Sequence, residues 1–385
     1  MDCFSCTHEE KYLIYTTDTF KIVLDDTCQL FPGKYLIVSK NHLHPNFVYS
    51  DLTLYREIQA IKIQMEYTIR RAFGKGTTYQ REIRFNYCKL GNSFKEPQNE
   101  HYHEYCVPVS PSQLKVAIKG YEYIFEYHIF GKPFDNTIRS KTPPIILEWI
   151  LSQLKENLVD LDQTRAIESS LKKNDTLFSS GPTSLFLCDL NLSSIIDNCR
   201  SCMPIIYETA PLFESRFFKV VLNDMNQWCF GRLHVVSKYH LDIDNIKYYP
   251  EIVDEYWLLL QLINKLIHEF YDDKDGQTTR IHVCELNNMT GQIGNSHAHY
   301  HIIPRTSKTI NMGEFILKDE FWGQSFNNNI RYIPSNDLLN TIRLKYLTLL
   351  KSLTSAENIK TWLLNYDVTK INTFNIVDIF NPIKI

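Results

Sequence analysis

Two stretches of this chain carry the same landmarks in the same order, and that repetition limits the fold more than any other feature. CFSC from Cys3 to Cys6 corresponds to CRSC from Cys199 to Cys202, a shift of 196 residues. FKIVLDD from Phe20 then matches FKVVLND from Phe218, and YLIVSKNHL from Tyr35 matches LHVVSKYHL from Leu233, both at a shift of 198. The shift returns to 196 for RFNYCKL from Arg84 against RIHVCEL from Arg280, and for HYHEYCVP from His101 against HAHYHIIP from His297. Two copies are too few for a solenoid, so the expectation is a duplicated domain packed as a pseudo-symmetric dimer within one chain.

Each copy reads as strand-rich, then helical, then strand-rich again. The F-K-x-V-L run and the run ending in V-S-K predict a hairpin, with Gly33 and Gly231 at its turn side. Apolar residues recur at helical spacing from Asp51 to Arg71 and from Glu251 to Phe270, which predicts one long amphipathic helix per copy. RFNYCKL and the H-x-H segments predict the last two core strands. The expected class is α+β, each copy an antiparallel sheet with a long helix. The expected division is a first domain over 1–135, a helical linker over 136–195 containing ILEWILSQLKENL, a second domain over 196–333 and a helical tail over 334–385. The tail is expected to brace the domains and take no part in chemistry.

With 385 residues, 44% of them hydrophobic, the chain can bury two cores. Its net charge of -3 gives no global reason to bind nucleic acid or an anionic membrane, so an anionic ligand needs a local site. MDCFSCTHEEKY lacks the basic-then-apolar layout of a signal peptide, and the most apolar run, WLLLQLINKLI from Trp257, is broken by polar residues. These features predict a soluble, cytoplasmic protein without a membrane partner. Ten cysteines spread through a large chain, four of them in two Cys-x-x-Cys pairs, favour thiols and metal over disulfides.

In a strand, alternate side chains share a face, so His297, His299 and His301 project together while Ala298, Tyr300 and Ile302 turn to the core. At about 3.3 Å per residue the outer two are roughly 13 Å apart at the backbone, too far for all three to ligate one ion. Their labour must be divided. A single strand histidine is most often an ordinary polar residue; three at strict alternation, followed by Ile-Ile-Pro, are not.

HAHYHII fits the pattern His-φ-His-φ-His-φ-φ and resembles the histidine triad superfamily. Its zinc-containing members resemble this chain in an early Cys-x-x-Cys, a hairpin ending in Lys-x-His, a long helix and then the triad strand. Here those are Cys199 and Cys202, Lys238 with His240, and His297; the first copy has Cys3 and Cys6, Lys40 with His42, and His101. His44 is an alternative to His42, although only His42 has a counterpart. The resemblance implies one zinc per copy, and two thiolates with two imidazoles make a closed, structural tetrahedral site. It also implies that His299 attacks a nucleotide α-phosphate to give a nucleotidyl-histidine, its second ring nitrogen held by a backbone carbonyl, while His301 donates to a phosphoryl oxygen. Relatives place a Gly-Gln-Ser/Thr element before the triad. Thr290, Gln292, Asn295 and Ser296 stand there, with Gln292 one residue further from His297 than usual, so phosphate contacts and an ordinary polar loop are both open readings.

The first copy keeps His101 and His103 but has Tyr105 in the third position and Glu104 where an apolar residue is expected. Either it is a pseudo-site that keeps its zinc, with His103 contributing to phosphate binding, or it is a second active site using the tyrosine as donor. The tandem layout resembles galactose-1-phosphate uridylyltransferase and dinucleoside tetraphosphate phosphorylase. Those branches typically have glutamine at the third position, so His301 leans toward hydrolysis. The expected function is a nucleotide hydrolase or nucleotidyltransferase acting at the α-phosphate of a nucleotide conjugate such as a dinucleoside polyphosphate. A metallohydrolase with a catalytic zinc and a non-catalytic nucleotide-binding scaffold are the alternatives.

Overall fold

The computed structural model describes residues 10–43, 51–74, 83–89, 102–110, 113–125, 141–160, 211–224, 226–238, 246–247, 249–273, 278–285, 297–320, 322 and 332–353. The first copy contributes β1 (Leu13–Thr16), β2 (Phe20–Leu24), β3 (Tyr35–Ser39), the helix α1 (Leu52–Phe73), β4 (Arg84–Lys89) and β5 (His103–Val109). A second hairpin follows, β6 (Leu114–Ile118) with β7 (Tyr121–Phe125), and then the linker helix α2 (Pro144–Glu156). The second copy repeats the plan with β8 (Phe213–Glu214), β9 (Phe218–Leu222), β10 (Leu233–Ser237), α3 (Pro250–Phe270), β11 (Thr279–Glu285) and β12 (His299–Thr306). The short hairpin of β13 (Ile310–Met312) and β14 (Phe315–Leu317) precedes the tail helix α4 (Asn336–Leu353).

Strands β1 to β5 and β8 to β12 form one ten-stranded antiparallel sheet in the order β1-β2-β3-β5-β4-β11-β12-β10-β9-β8, while β6 with β7 and β13 with β14 are separate hairpins. The order reads the same from either end once the repeat is applied, so a pseudo-twofold axis crosses the sheet between β4 and β11. Cys88 pairs with Cys284 at that seam, each the counterpart of the other. The duplicated domain is therefore an intrachain pseudo-dimer, as the repeat predicted. The two halves continue one sheet edge to edge; they do not face each other across the axis as separate sheets. Joining the edges satisfies the backbone groups that each half would otherwise expose.

The long helices lie on one face. Asp51 caps α1 by accepting from the Thr53 and Leu54 amides at 2.7 and 3.3 Å, and Pro250 opens α3, where its missing N–H costs nothing. Ile58, Ile61, Met65 and Ile69 of α1, and Leu259, Leu262, Ile263 and Leu266 of α3, share a core with Tyr35, Ile37, Tyr87, Val235, Tyr300 and Ile302 of the strands. Ion pairs are buried in it as well. Lys62 of α1 lies 2.8 Å from both Glu104 of β5 and Glu285 of β11, and Lys247 pairs with Glu66 of α1. Burial alone would lower the Lys62 pKa, but the two carboxylates outweigh it and raise it.

The turn expected at Gly33 and Gly231 is present, both with positive φ (97° and 77°). The tail helix packs on α3, with the Phe270 and Tyr346 rings 4.5 Å apart, and the Tyr346 hydroxyl donates to the Gly231 carbonyl at 2.8 Å. It thus braces the second copy at the turn into β10. The rest of the linker and the WLL segment of the tail lie outside the described residues. Among the described residues no helix is long and apolar enough to cross a membrane.

Candidate active site

Strand alternation divides β12 between the two faces of the sheet. Tyr300 turns to the helices, stacked on Tyr256 of α3 with ring centroids 3.8 Å apart. His299 and His301 turn to the opposite face, their rings 5.1 Å apart. His297 and His301 are 8% exposed, whereas His299 between them is more open. The His299 Nδ1 lies 2.9 Å from the carbonyl oxygen of His297. A carbonyl only accepts, so Nδ1 carries the hydrogen and Nε2 keeps the lone pair.

The neighbouring strand β10 completes the group. His234 pairs with His301 across the sheet, and the two rings stand perpendicular with centroids 4.4 Å apart. Arg232, 1% exposed, brings Nη2 to 2.9 Å from the His301 Nδ1. Asn223, at the end of β9, places Nδ2 2.9 Å from the His234 Nε2. Burial first, and then the neighbouring His234, Arg232 and His299, push the His301 pKa well below the usual imidazole value. His234 is lowered in the same way by burial, Arg232 and His299. Both rings are therefore neutral at physiological pH.

The first copy uses the same backbone frame with different side chains. Gln29 bonds through Nε2 to the carbonyls of Asp25 and Lys34, just as Gln227 does to those of Asn223 and Arg232. Yet Lys34, in the place of Arg232, pairs with Asp25 at 2.7 Å and lies over the Tyr105 ring, 5.5 Å from its centroid. Leu36 stands where the second copy has His234, opposite Tyr105. His103 and Tyr105 are half-buried with perpendicular rings 5.8 Å apart. Glu104 points away from them to Lys62 on the helix face, where it also accepts from the Tyr102 hydroxyl at 2.7 Å. An apolar cluster including Cys88, Val107, Val109, Trp228, Cys284 and Ile303 packs across the copies.

The structure brings together His299 and His301, and places His103 at the equivalent position of the first copy. Of the expected metal ligands, only His42 and His297 are described. His42 is exposed, and the His297 Nε2 donates to the Ser237 carbonyl at 2.8 Å, leaving Nδ1 with the lone pair. Cys3, Cys6, His101, Cys199, Cys202, His240, Gln292, Asn295 and Ser296 lie outside the described residues. Among the described residues no group of three or more His, Cys, Asp or Glu could hold a metal. Arg232, His234 and Asn223 were not anticipated. Their signal lay in the repeat, where Lys34, Leu36 and Asp25 are their counterparts.

The solved structures that overlap this chain include uridylyltransferases. Two such structures overlap 91% and 88% of this chain, and 94% and 87% of their own, at 10% identity and a TM-score of 0.42. A Hit-like protein involved in cell-cycle regulation from Bartonella henselae overlaps 38% of this chain and 86% of its own, at 19% identity and a TM-score of 0.23. A hypothetical histidine triad nucleotide-binding protein from Sulfolobus tokodaii overlaps 46% of this chain and all of its own, at 19% identity and a TM-score of 0.26. Neither a family model nor a curated protein matches the sequence. What the site can do follows from β12 and its neighbours, not from these overlaps.

Proposed function

We propose that this protein transfers or hydrolyses a nucleotidyl group through a covalent intermediate on His299. The observation that carries the reading is the 2.9 Å bond from the His299 Nδ1 to the His297 carbonyl, which leaves the lone pair on Nε2. That lone pair forms the N–P bond to the α-phosphorus while the P–O bond to the leaving group breaks, its electron pair departing with the leaving oxygen. The ring then carries positive charge, and the Nδ1–H bond to the carbonyl strengthens. Water or another acceptor next attacks phosphorus, the N–P bond breaks with its electron pair returning to the His299 Nε2, and the proton of the attacking hydroxyl passes to solvent. His301, buried and neutral, donates to a phosphoryl oxygen as charge develops. The leaning toward hydrolysis rests on histidine, in place of glutamine, at this third position.

Zinc has a structural part in this reading. Cys199, Cys202, His240 and His297 would hold one ion, and Cys3, Cys6, His42 and His101 another. The Ser237 carbonyl accepts the hydrogen of the His297 Nε2, which would leave Nδ1 to serve as the zinc ligand, the second ring nitrogen being held as it usually is in metal-bound imidazoles. A filled site of this kind would supply rigidity, tying the end of β10 to the triad strand.

Incubation with labelled dinucleoside polyphosphates tests the activity: release of a nucleoside monophosphate supports it, and no turnover of any nucleotide conjugate removes it. Elemental analysis of the wild type and Cys199→Ser separates a thiolate-held zinc, lost in the variant, from a catalytic zinc on the triad, which would remain.

A further inference from the structure

We propose that Arg232 is a positioning residue that holds His301 as its Nε2–H tautomer, the form that can donate to a phosphoryl oxygen; the inference rests on the triad reading above. A guanidinium has hydrogens on every nitrogen and does not lose one in a protein. Its Nη2 lies 2.9 Å from the His301 Nδ1, so Nδ1 must accept. The single hydrogen of the neutral ring then sits on Nε2. A doubly protonated ring would set N–H against N–H, and the arginine charge adds to burial in excluding that form.

A second pair of side chains confines the same ring. The Asn226 amide donates to the Asn223 Oδ1 at 3.0 Å, which fixes the orientation of the Asn223 side-chain amide. Its Nδ2 therefore donates to the His234 Nε2 at 2.9 Å. His234, oriented in this way, stands perpendicular to His301 with centroids 4.4 Å apart. The triad pair thus carries opposite tautomers, a lone pair on the Nε2 of His299 and a hydrogen on the Nε2 of His301, each set by a partner that can bond in one sense only.

The first copy shows the same frame without the hold. There the cation at the matching position is drawn to Asp25 at 2.7 Å, and the third residue is Tyr105, which has no tautomer to set. With neutral Asn223 in the place of Asp25, the cation of the second copy is directed to the histidine.

The test uses the full chain with ¹⁵N-labelled histidine, the His301 signals being identified by their loss in His301→Gln. In the wild type the Nδ1 should resonate as an unprotonated and the Nε2 as a protonated nitrogen. Arg232→Met should convert this to a mixture of tautomers and lower kcat by about tenfold to a hundredfold with KM changed much less. Arg232→Lys, again a pure donor, should restore the single tautomer and part of kcat. Asn223→Asp, which offers the cation the carboxylate that Lys34 has, should shift His301 in the same direction as the methionine variant and serves in its place if that protein does not fold. An unchanged tautomer in Arg232→Met and Asn223→Asp, or a changed tautomer with kcat unaffected, overturns the proposal. A tautomer shift in a protein whose wild type turns over no nucleotide removes the proposed function and leaves the structural hold in place.

Discussion

At the scale of single residues, the site depends on bonds that can form in one sense only. His299→Ala should abolish turnover, and His301→Ala should slow it by about tenfold to a thousandfold if one preorganised donor is lost. Initial-rate measurements on one nucleotide substrate would check both, and a His299→Ala protein with full activity would remove His299 as nucleophile. A second consequence concerns pH. His234, His282 and His301 are all pushed below the usual imidazole pKa by burial, His282 further by Arg305, Lys89 and His103. The unfolded chain takes up protons on these rings near pH 6.5 while the folded chain does not, so stability is complete above that pH and falls as the pH drops through it. Each ring contributes up to about 1.4 kcal/mol per pH unit. Asn86 is the first-copy counterpart of His282, so His282→Asn should retain the fold and lose one ring's share of the slope. Urea midpoints at pH 7.5 and 5.5 would show it, and an identical slope in the variant would contradict it.

At the scale of elements, the hairpins, the two long helices and the alternation of β12 were legible in the sequence because each is set by local pattern. Arg232 was not, since its meaning depends on a contact with a residue 69 positions away. The sheet junction was equally hidden: nothing local in RFNYCKL or RIHVCEL says that β4 pairs with β11. The tail shows a mixed outcome, with helical spacing evident but its docking at the Gly231 turn not. That docking makes a specific prediction. An alanine at Gly231 would need a positive φ, and its Cβ would press on the Tyr346 hydroxyl, which is fixed by its bond to the Gly231 carbonyl. At Gly33 the Cβ would meet Ile69 Cγ1 at 3.1 Å, the side of an aliphatic chain that can move. Both variants carry backbone strain of about 1–3 kcal/mol, but Gly231→Ala should show the larger fall in Tm and also lose activity, because Arg232 follows directly. Equal losses in the two variants would mean that the Tyr346 contact does not matter.

At the scale of the whole molecule, the copies are joined by a shared sheet and by buried charge. Lys62 reaches from the first copy to Glu285 of the second, and Lys247 reaches back to Glu66. Lys62→Met would leave Glu104 and Glu285 buried without their cation and should cost about 3–5 kcal/mol, measured by denaturant unfolding. The two halves expressed separately should aggregate or re-pair, since each would expose the edge of β4 or β11; two soluble halves that do not associate would contradict a single folding unit. The repeat announced the duplication and Tyr105 the departure of the first copy, but the different partners of the two cations, Lys34 with Asp25 in one and Arg232 with His301 in the other, emerge only from the structure. His103→Ala should accordingly keep most of the activity. The most direct test of this division is rapid-quench trapping of the intermediate with labelled nucleotide, followed by peptide mapping of the acid-labile adduct: the account predicts the label on His299, and an adduct on His103 with full activity in the His299 variant would contradict it.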